Sequence, residues 1–318
     1  MRVAIVGAGG VGGLLGGLLA RAGEEVVLVT RGEALAAIRR DGLRIDSPLG
    51  SFTAPVAAAA EDPAALPPAD AVLVAVKAWQ VAELAPRLAP LAAPGAPVVP
   101  LQNGVDAADQ LGRALGAERV AGGVINVLAW IQAPGSIKHL GAAPIVVMGE
   151  RGPLAGTRSP RLEALAAALA RAGVVAKVVE DVERATWEKF LLVEPWGLVA
   201  SASRAPLGVH LAVPELRAVH ERAMHEVAAL ARARGVALPS NAVSATLQVL
   251  EAVAPDATVS MQRDVGAGKP SELEDQAGAV LRLAEEAGIE VPVHETLYGV
   301  LVAQERATRG EIPRFPRT

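Results

Sequence analysis

The chain of 318 residues contains no cysteine. Disulfide bonds, thiolate metal sites and a cysteine nucleophile are therefore excluded. Aromatic residues make up only 3% of the chain, and the net charge of −4 comes without any run of basic residues. A chain with this charge pattern lacks the electrostatic footprint of a nucleic-acid-binding protein. Beyond the first twenty residues no apolar run has membrane length, so we expect a cytoplasmic protein without nucleic-acid or membrane partners.

Motifs of hydrolases, NTPases and zinc enzymes are also missing. The sequence contains neither G-x-S-x-G nor a P-loop. His220 and His225 resemble the histidines of H-E-x-x-H, but their spacing is one residue too long. Five helical residues turn the second side chain about 140° from the first, so the two cannot share a zinc ion. We expect no metal site and interpret all five histidines as structural or surface residues.

A glycine-rich motif lies at the amino terminus. The apolar run from Arg2 to Val6 ends in Gly7-Ala8-Gly9-Gly10-Val11-Gly12, which fits G-x-G-x-x-G, and leucines at helical spacing follow it. A strand, a glycine turn and a helix in this order form the dinucleotide-binding motif, in which the start of the helix holds a pyrophosphate. We expect these six residues to bind a cofactor. One alternative is a turn that binds nothing. Another is a secretory signal, but the many glycines in the apolar run disfavour it.

The end of the second predicted strand indicates which dinucleotide is bound. NAD-binding proteins carry an Asp or Glu about twenty residues after the glycines, where it binds the ribose hydroxyls. Here the strand ends in Val29-Thr30-Arg31, without a carboxylate. A guanidinium can bind the additional phosphate of NADP through two parallel hydrogen bonds. The sequence therefore favours NADPH, with Arg31 on its phosphate, over an ordinary solvated arginine.

Apolar runs and helical periodicities divide the chain into two parts. Up to about residue 180, strands alternate with helices, which indicates an α/β domain with a Rossmann-type doubly wound parallel sheet. Beyond it strand-like runs disappear and helices dominate, including an amphipathic one over residues 214–234. We expect an NADP-binding domain over residues 1–180 and an all-helical substrate and catalytic domain over residues 181–318.

Three local patterns predict finer features. Residues 43–56 are expected to form an irregular hairpin around Gly50, and residues 137–148 a second hairpin. Ser271 and Glu274 fit a capping box that opens a helix.

Two further strand ends carry polar side chains. Lys77 follows the apolar run 70–76, and Gln102-Asn103-Gly104 follows the run 96–101. Ligands of open parallel sheets collect beyond the carboxyl ends of the strands. We therefore expect the glycine loop, Arg31, Lys77 and Asn103 along one edge of the sheet. The alternatives are a Lys77–Glu83 ion pair and a plain Asn-Gly turn.

Together with segments further along the chain, these motifs resemble the ketopantoate reductase family (2-dehydropantoate 2-reductases). The resemblance extends over nearly the whole chain. The glycine motif is shared by many enzymes, whereas a lysine after a strand, Gln-Asn-Gly and Trp-x-Lys together are specific to this family. The matching segments are Gly7–Gly12, Val74-Ala75-Val76-Lys77-Ala78-Trp79-Gln80, Gln102-Asn103-Gly104, Trp187-Glu188-Lys189-Phe190, and Ser260-Met261 with Asp264 and Glu272.

The resemblance implies reduction of a small 2-oxo acid by NADPH, most directly of ketopantoate to pantoate in pantothenate and coenzyme A biosynthesis. It implies that Lys189 protonates the forming alkoxide, which suits a lysine with a lowered pKa. Asn103 would hold nicotinamide and substrate in register, and Lys77 would lie near the cofactor and the reacting oxygen. Ser260 and Glu272 would bind substrate or hold Lys189, with Glu272 also at the cofactor. Without the resemblance, Lys189 would be interpreted as a solvated helix lysine.

One segment departs from the family pattern. The family carries asparagines four and eight residues after the lysine, where this chain has Val193 and Gly197. Losing two amide contacts weakens recognition of a hydroxylated oxo acid, and Pro195 is expected to interrupt the helix there. Substitutes for the lost contacts stay open among Glu194, Trp196, Ser201, Ser203 and Arg204.

Three other functions stay open beside ketopantoate reduction. They are reduction of a different oxo acid, a 3-hydroxy acid dehydrogenase activity on a similar two-domain plan, and NADPH binding without catalysis. The sequence leaves the oligomeric state open, and a homodimer is one option.

Overall fold

The computed structural model describes residues 1–313, which form ten strands and twelve α-helices joined by short 3-10 turns. The strands are β1 Arg2–Val6, β2 Glu25–Val29, β3 Leu43–Asp46, β4 Phe52–Ala54, β5 Ala58–Ala60, β6 Ala71–Val74, β7 Val98–Pro100, β8 Gly122–Ala133, β9 Ser136–Gly149 and β10 Val175–Val178. The helices are α1 Gly10–Arg21, α2 Gly32–Asp41, α3 Val81–Leu84, α4 Ala107–Leu115, α5 Pro160–Arg171, α6 Val182–Ser203, α7 Leu207–Ala212, α8 Pro214–Ala233, α9 Ala242–Glu251, α10 Ser260–Gly266, α11 Ala279–Ala287 and α12 Pro292–Arg309.

The chain folds as two compact units. Unit 1 comprises Met1–Gln102 and Ala107–Ala185, and unit 2 comprises Asn103–Asp106 and the chain from Thr186 onward. The role of each part, cofactor binding over residues 1–180 and substrate chemistry over residues 181–318, stays a prediction.

Unit 1 is built on a parallel sheet of five strands in the order β5-β2-β1-β6-β7. Its strands read as apolar runs because both faces are covered. Leu14 and Leu18 of α1 belong to the core on one face, and Val81 of α3 and Leu111 of α4 to the core on the other. The structure therefore confirms the predicted Rossmann-type doubly wound sheet.

A second sheet completes unit 1, and the sequence did not predict it. Its strands run in the order β10-β9-β3-β4, with β8 paired to β9. The expected hairpin over residues 43–56 is confirmed, since β3 and β4 are antiparallel and Gly50 lies between them. The expected hairpin over residues 137–148 is wrong, because those residues form one strand, β9, antiparallel to β8. The turn is at Pro134-Gly135, where Gly135 takes the φ of 71° that a tight turn requires.

Unit 2 is helical throughout its described residues. The predicted helix over residues 214–234 is confirmed as α8. The expected interruption at Pro195 is wrong, since α6 continues through it to Ser203. Burial of the following turn, with Leu198 and Val199 fully covered, compensates for the one helical hydrogen bond that proline cannot donate.

The expected capping box is also wrong. Ser271 Oγ accepts a hydrogen bond from the Leu273 amide at 3.3 Å and donates one to Glu305 Oε2 at 2.7 Å. The chain from Glu274 to Gly278 then forms a π-helical turn that leads into α11. The Ser271 amide, which a capping box would pair with Glu274, donates to the Glu305 carboxylate of α12 instead. The helix expected from this point to about Ala287 is confirmed, as the π-helical turn and α11. Among the described helices, none has the length and apolar character needed to cross a bilayer.

Candidate active site

The glycine loop of unit 1 joins β1 to α1. Gly7 has a φ of 101°, which favours glycine. A Cβ on Gly12 would lie 2.0 Å from the carbonyl oxygen of Gly7, so only glycine lets the first turn of α1 approach the strand. A Cβ on Gly9 would meet no atom within 4 Å. The backbone at Gly9 therefore faces open space that a ligand can enter.

The start of α1 has the electrostatic character of an anion site. Its first turn holds no acidic residue, and Gly9 makes no side-chain cap. The first amide groups of a helix have no partner within the helix, and its dipole places partial positive charge there. The glycine loop therefore fits the pyrophosphate of a dinucleotide in both shape and charge.

Arg31 lies at the same edge of the sheet. The Gly7 amide donates to the Val29 carbonyl oxygen at 2.9 Å, which ties the end of β2 to the glycine loop. Arg31 follows two residues later, immediately before α2, and its side chain is exposed. An exposed guanidinium beside the glycine loop is suited to a phosphate, and its contact with NADP stays a prediction.

Gln102 and Lys77 follow β7 and β6 at this edge. The side-chain amide of Gln102 donates to the carbonyl oxygens of Val74 and Val76, at 3.0 and 2.9 Å. These bonds hold the short loop that leads to Lys77, whose exposed Nζ lies 5.6 Å from the ring centroid of Trp79. The glycine loop, Arg31 and Lys77 therefore share one sheet edge, as the sequence predicted.

Asn103 begins a four-residue segment that belongs to unit 2. Gly104 takes a φ of 113°, and a Cβ there would lie 3.1 Å from the Asp275 carbonyl oxygen. Asp106 accepts a hydrogen bond from Arg282 of α11. These contacts place the Asn103 loop beside the π-helical turn that follows Glu272.

Lys189 lies on α6 with a half-buried side chain. Burial lowers the pKa of Lys189 to about 8, although the Glu272 carboxylate acts in the opposite direction. Glu272 itself is 6% exposed. An amine with a pKa near 8 is still largely protonated at neutral pH and releases its proton far more readily than an ordinary lysine. Unit 2 therefore brings together Lys189, Glu272 and, through the π-helical turn, Asn103.

Ser260 opens α10, and its side chain is half-buried. The next residue, Met261, contacts α6: a Cβ on Gly197 would lie 2.8 Å from Met261 Cε. The start of α10 therefore lies beside α6, two helical turns beyond Lys189.

Asp275 is an acid that no motif in the sequence indicated as part of the site. Burial, reinforced by the neighbouring Glu272 carboxylate, raises the pKa of Asp275 to about 6. It stands on the π-helical turn, a local form often found at functional sites. The spacing of Glu272 and Asp275, three residues apart, was the one signal in the sequence.

A buried cluster of three charged groups was also missed. His294 Nδ1 lies 2.6 Å from Glu226 Oε2, and His294 Nε2 lies 2.8 Å from Glu194 Oε2. Burial opposes the charge on His294, but the two glutamates raise the pKa of His294 to about 9. The three residues come from α6, α8 and α12, so no local pattern could have predicted their contact. Within residues 1–313 no group of three or more acidic or histidine side chains is arranged to hold a metal ion.

Comparisons with known proteins cover both parts of the chain. Residues 3–152 match the family model described as ketopantoate reductase PanE/ApbA, and residues 181–305 match that of its C-terminal part. A 2-dehydropantoate 2-reductase of Halobacterium salinarum is 32% identical over 96% of this chain and 99% of its own. The crystal structure of a PanE/ApbA family ketopantoate reductase from Ralstonia eutropha JMP134 is 33% identical, with a TM-score of 0.87 over 97% of this chain and 100% of that one. A 2-dehydropantoate 2-reductase from Geobacter metallireducens GS-15 is 32% identical, with a TM-score of 0.86 over 95% and 99%.

Proposed function

Because the chain belongs to the ketopantoate reductase PanE/ApbA family, a family of nicotinamide-dependent oxidoreductases, we propose that it reduces a 2-oxo acid to the 2-hydroxy acid with NADPH. Ketopantoate, the substrate in the names of its relatives, is the reference substrate for testing this activity. The observation that supports the proposal most directly is Lys189, a half-buried amine whose pKa is lowered to about 8.

The residues of unit 1 supply the cofactor site in this proposal. The open backbone of the glycine loop and the first amides of α1 hold the pyrophosphate. Arg31 binds the phosphate that distinguishes NADPH from NADH. Lys77 contacts the nicotinamide end, and Asn103 is the one residue of unit 2 that this proposal adds there. Bound NADPH supplies the hydride that goes to the carbonyl carbon of the substrate.

The residues of unit 2 supply the proton and bind the acid. As charge develops on the carbonyl oxygen, the Lys189 ammonium stabilises it and then donates its proton. Glu272 keeps Lys189 charged, because its carboxylate opposes the effect of burial on the amine. Ser260, at the start of α10, donates its hydroxyl to the substrate carboxylate.

The activity is tested by following NADPH oxidation with ketopantoate and other 2-oxo acids. Replacing Lys189 by alanine is expected to lower kcat/KM by about a hundredfold to ten-thousandfold, the usual contribution of a general acid. Lys269 is an exposed lysine of the same unit, so Lys269→Ala is the matched control. Tight binding of NADPH without turnover of any oxo acid would favour the non-catalytic alternative.

The cofactor assignment has a separate test. Arg31→Ala is expected to raise the KM for NADPH by tenfold or more, on the scale of a lost charged hydrogen bond, and to leave the KM for NADH nearly unchanged. Arg113→Ala, an exposed arginine of the same unit, should change neither. An equal rise in KM for NADPH and NADH would show that Arg31 does not bind the phosphate.

A further inference from the structure

Between Phe190 and Ala200, the surface of α6 is apolar where it is accessible. From Phe190 to Ala200, only Leu192 and Val193 keep partial exposure. Val193 lies one helical turn after Lys189 on the same face, about 6 Å along the axis. A substrate whose carbonyl oxygen meets Lys189 and whose chain extends along α6 toward its C-terminal end therefore meets aliphatic carbon first.

The next turn of α6 offers no space for a polar contact. Gly197 is buried, and the space of its missing side chain is filled: a Cβ there would lie 2.8 Å from Met261 Cε and 3.8 Å from Val259 Cγ2. Trp196 is 8% exposed and packs with Ala200 and Leu207. Its indole N–H is buried and does not reach the surface.

The polar side chains of this stretch are engaged elsewhere. Ser201 Oγ donates to the Gly197 carbonyl oxygen at 2.7 Å and is buried. Ser203 Oγ lies 3.1 Å from His210 Nε2, and Glu194 is fully buried against His294. Arg204 lies beyond the end of α6 and is exposed. Of the five candidates named from the sequence, none presents a free polar group on the Lys189 face of α6.

We propose that the substrate is a 2-oxo acid with an apolar tail, lying on Val193, and not a hydroxylated one. This proposal rests on the proposed function, since it takes Lys189 as the proton donor. A hydroxyl placed against Val193 would lose water there without gaining a hydrogen bond from that side chain, which penalises it. Ser260 binds the carboxylate, a group that both kinds of acid share, so it does not compensate.

Two acids that differ by one hydroxyl test the proposal. Ketopantoate is 4-hydroxy-3,3-dimethyl-2-oxobutanoate, and 3,3-dimethyl-2-oxobutanoate lacks only its hydroxyl. The wild-type enzyme is expected to give a kcat/KM about tenfold to a hundredfold higher with the deoxy acid, the range over which an apolar pocket rejects an added hydroxyl. A wild-type preference for ketopantoate would overturn the proposal and leave the proposed function intact. No turnover of either acid would overturn the proposal, and no turnover of any 2-oxo acid would overturn the proposed function as well.

Variants at Val193 sharpen the test. Val193→Asn is expected to shift the kcat/KM ratio about tenfold toward ketopantoate, because the amide provides the missing partner. Val193→Ile keeps the surface apolar and should leave the ratio unchanged. Ser260→Ala should lower kcat/KM equally for both acids. A selective loss for ketopantoate in Ser260→Ala would show that Ser260 binds the tail hydroxyl and would contradict the proposal.

Discussion

The two units of this chain build their candidate sites from different materials. In unit 1 the site is mainly backbone: a glycine loop, the first amides of α1 and the loop held by Gln102. In unit 2 it consists of side chains, and several titratable ones are removed from water: Glu272 and His294 are buried, and Lys189 is half-buried. A backbone site is specified by a short contiguous motif. A site of buried charges exists only once helices that are distant in sequence have packed together.

The strongest test of this contrast removes the buried cation of unit 2. His294→Ala would leave Glu194 and Glu226 beside each other without their shared partner. Breaking a buried charged network in this way costs about 3–5 kcal/mol of the free energy of unfolding. Urea denaturation and hydrogen exchange of α12 would measure the loss. His225→Ala, at an exposed position of α8, should change stability by less than about 0.5 kcal/mol.

Raising the pH should remove the stabilisation that the charged His294 provides, by deprotonating its side chain without a mutation. The pKa of His294 is about 9 in the folded chain and 6.5 ordinarily. A raised folded pKa means that the stabilisation is complete below about pH 6.5 and is lost as the pH rises through about 9. Its full size is on the order of 3 kcal/mol. Lys189 has the opposite effect on the free energy of unfolding. Because its pKa is lowered in the folded chain, raising the pH above about 8 increases stability.

The comparison of wild type with His294→Gln isolates the effect of His294 from that of Lys189. The difference between their free energies of unfolding should shrink from about pH 6 to about pH 10. A difference that stays constant over this range would show that His294 is not charged in the folded protein.

Two glycine substitutions test the backbone site of unit 1. Gly12→Ala places a Cβ against the Gly7 carbonyl oxygen and is expected to cost about 1–3 kcal/mol through overpacking. In Gly9→Ala the added Cβ meets no atom of the chain, so the melting temperature should stay unchanged. The methyl group occupies the open space at the loop, so the affinity for NADPH should fall. Calorimetry and fluorescence titration measure the two effects. Unchanged NADPH affinity in Gly9→Ala would contradict a cofactor at this loop.

The same contrast explains how much of the fold the sequence predicted. β1, α1 and β2 follow from a contiguous pattern, and the structure has them within a few residues of the predicted bounds. The second sheet of unit 1 joins strands from three separate stretches, residues 43–54, 122–149 and 175–178, so no local pattern indicates the whole sheet. The hairpin predicted over residues 137–148 failed for this reason, because β9 takes its partner from outside that stretch.

The features of the candidate site that could be predicted are likewise those that contiguous sequence specifies. The sequence predicted the shared edge of the glycine loop, Arg31 and Lys77, because parallel strands end together. It did not predict the buried partners of His294 or the raised pKa of Asp275. Both depend on contacts between helices, and in neither case does a residue type by itself indicate burial.

The central claim is that the Lys189 ammonium donates the proton to the reduced substrate. It is tested most directly by the pH dependence of kcat/KM in the reducing direction. The account predicts a fall of about tenfold per pH unit above about pH 8. In Glu272→Gln this fall should begin at a lower pH, because the carboxylate that keeps Lys189 charged is gone. A profile that stays flat through pH 8, or a break that moves to higher pH in Glu272→Gln, would contradict it.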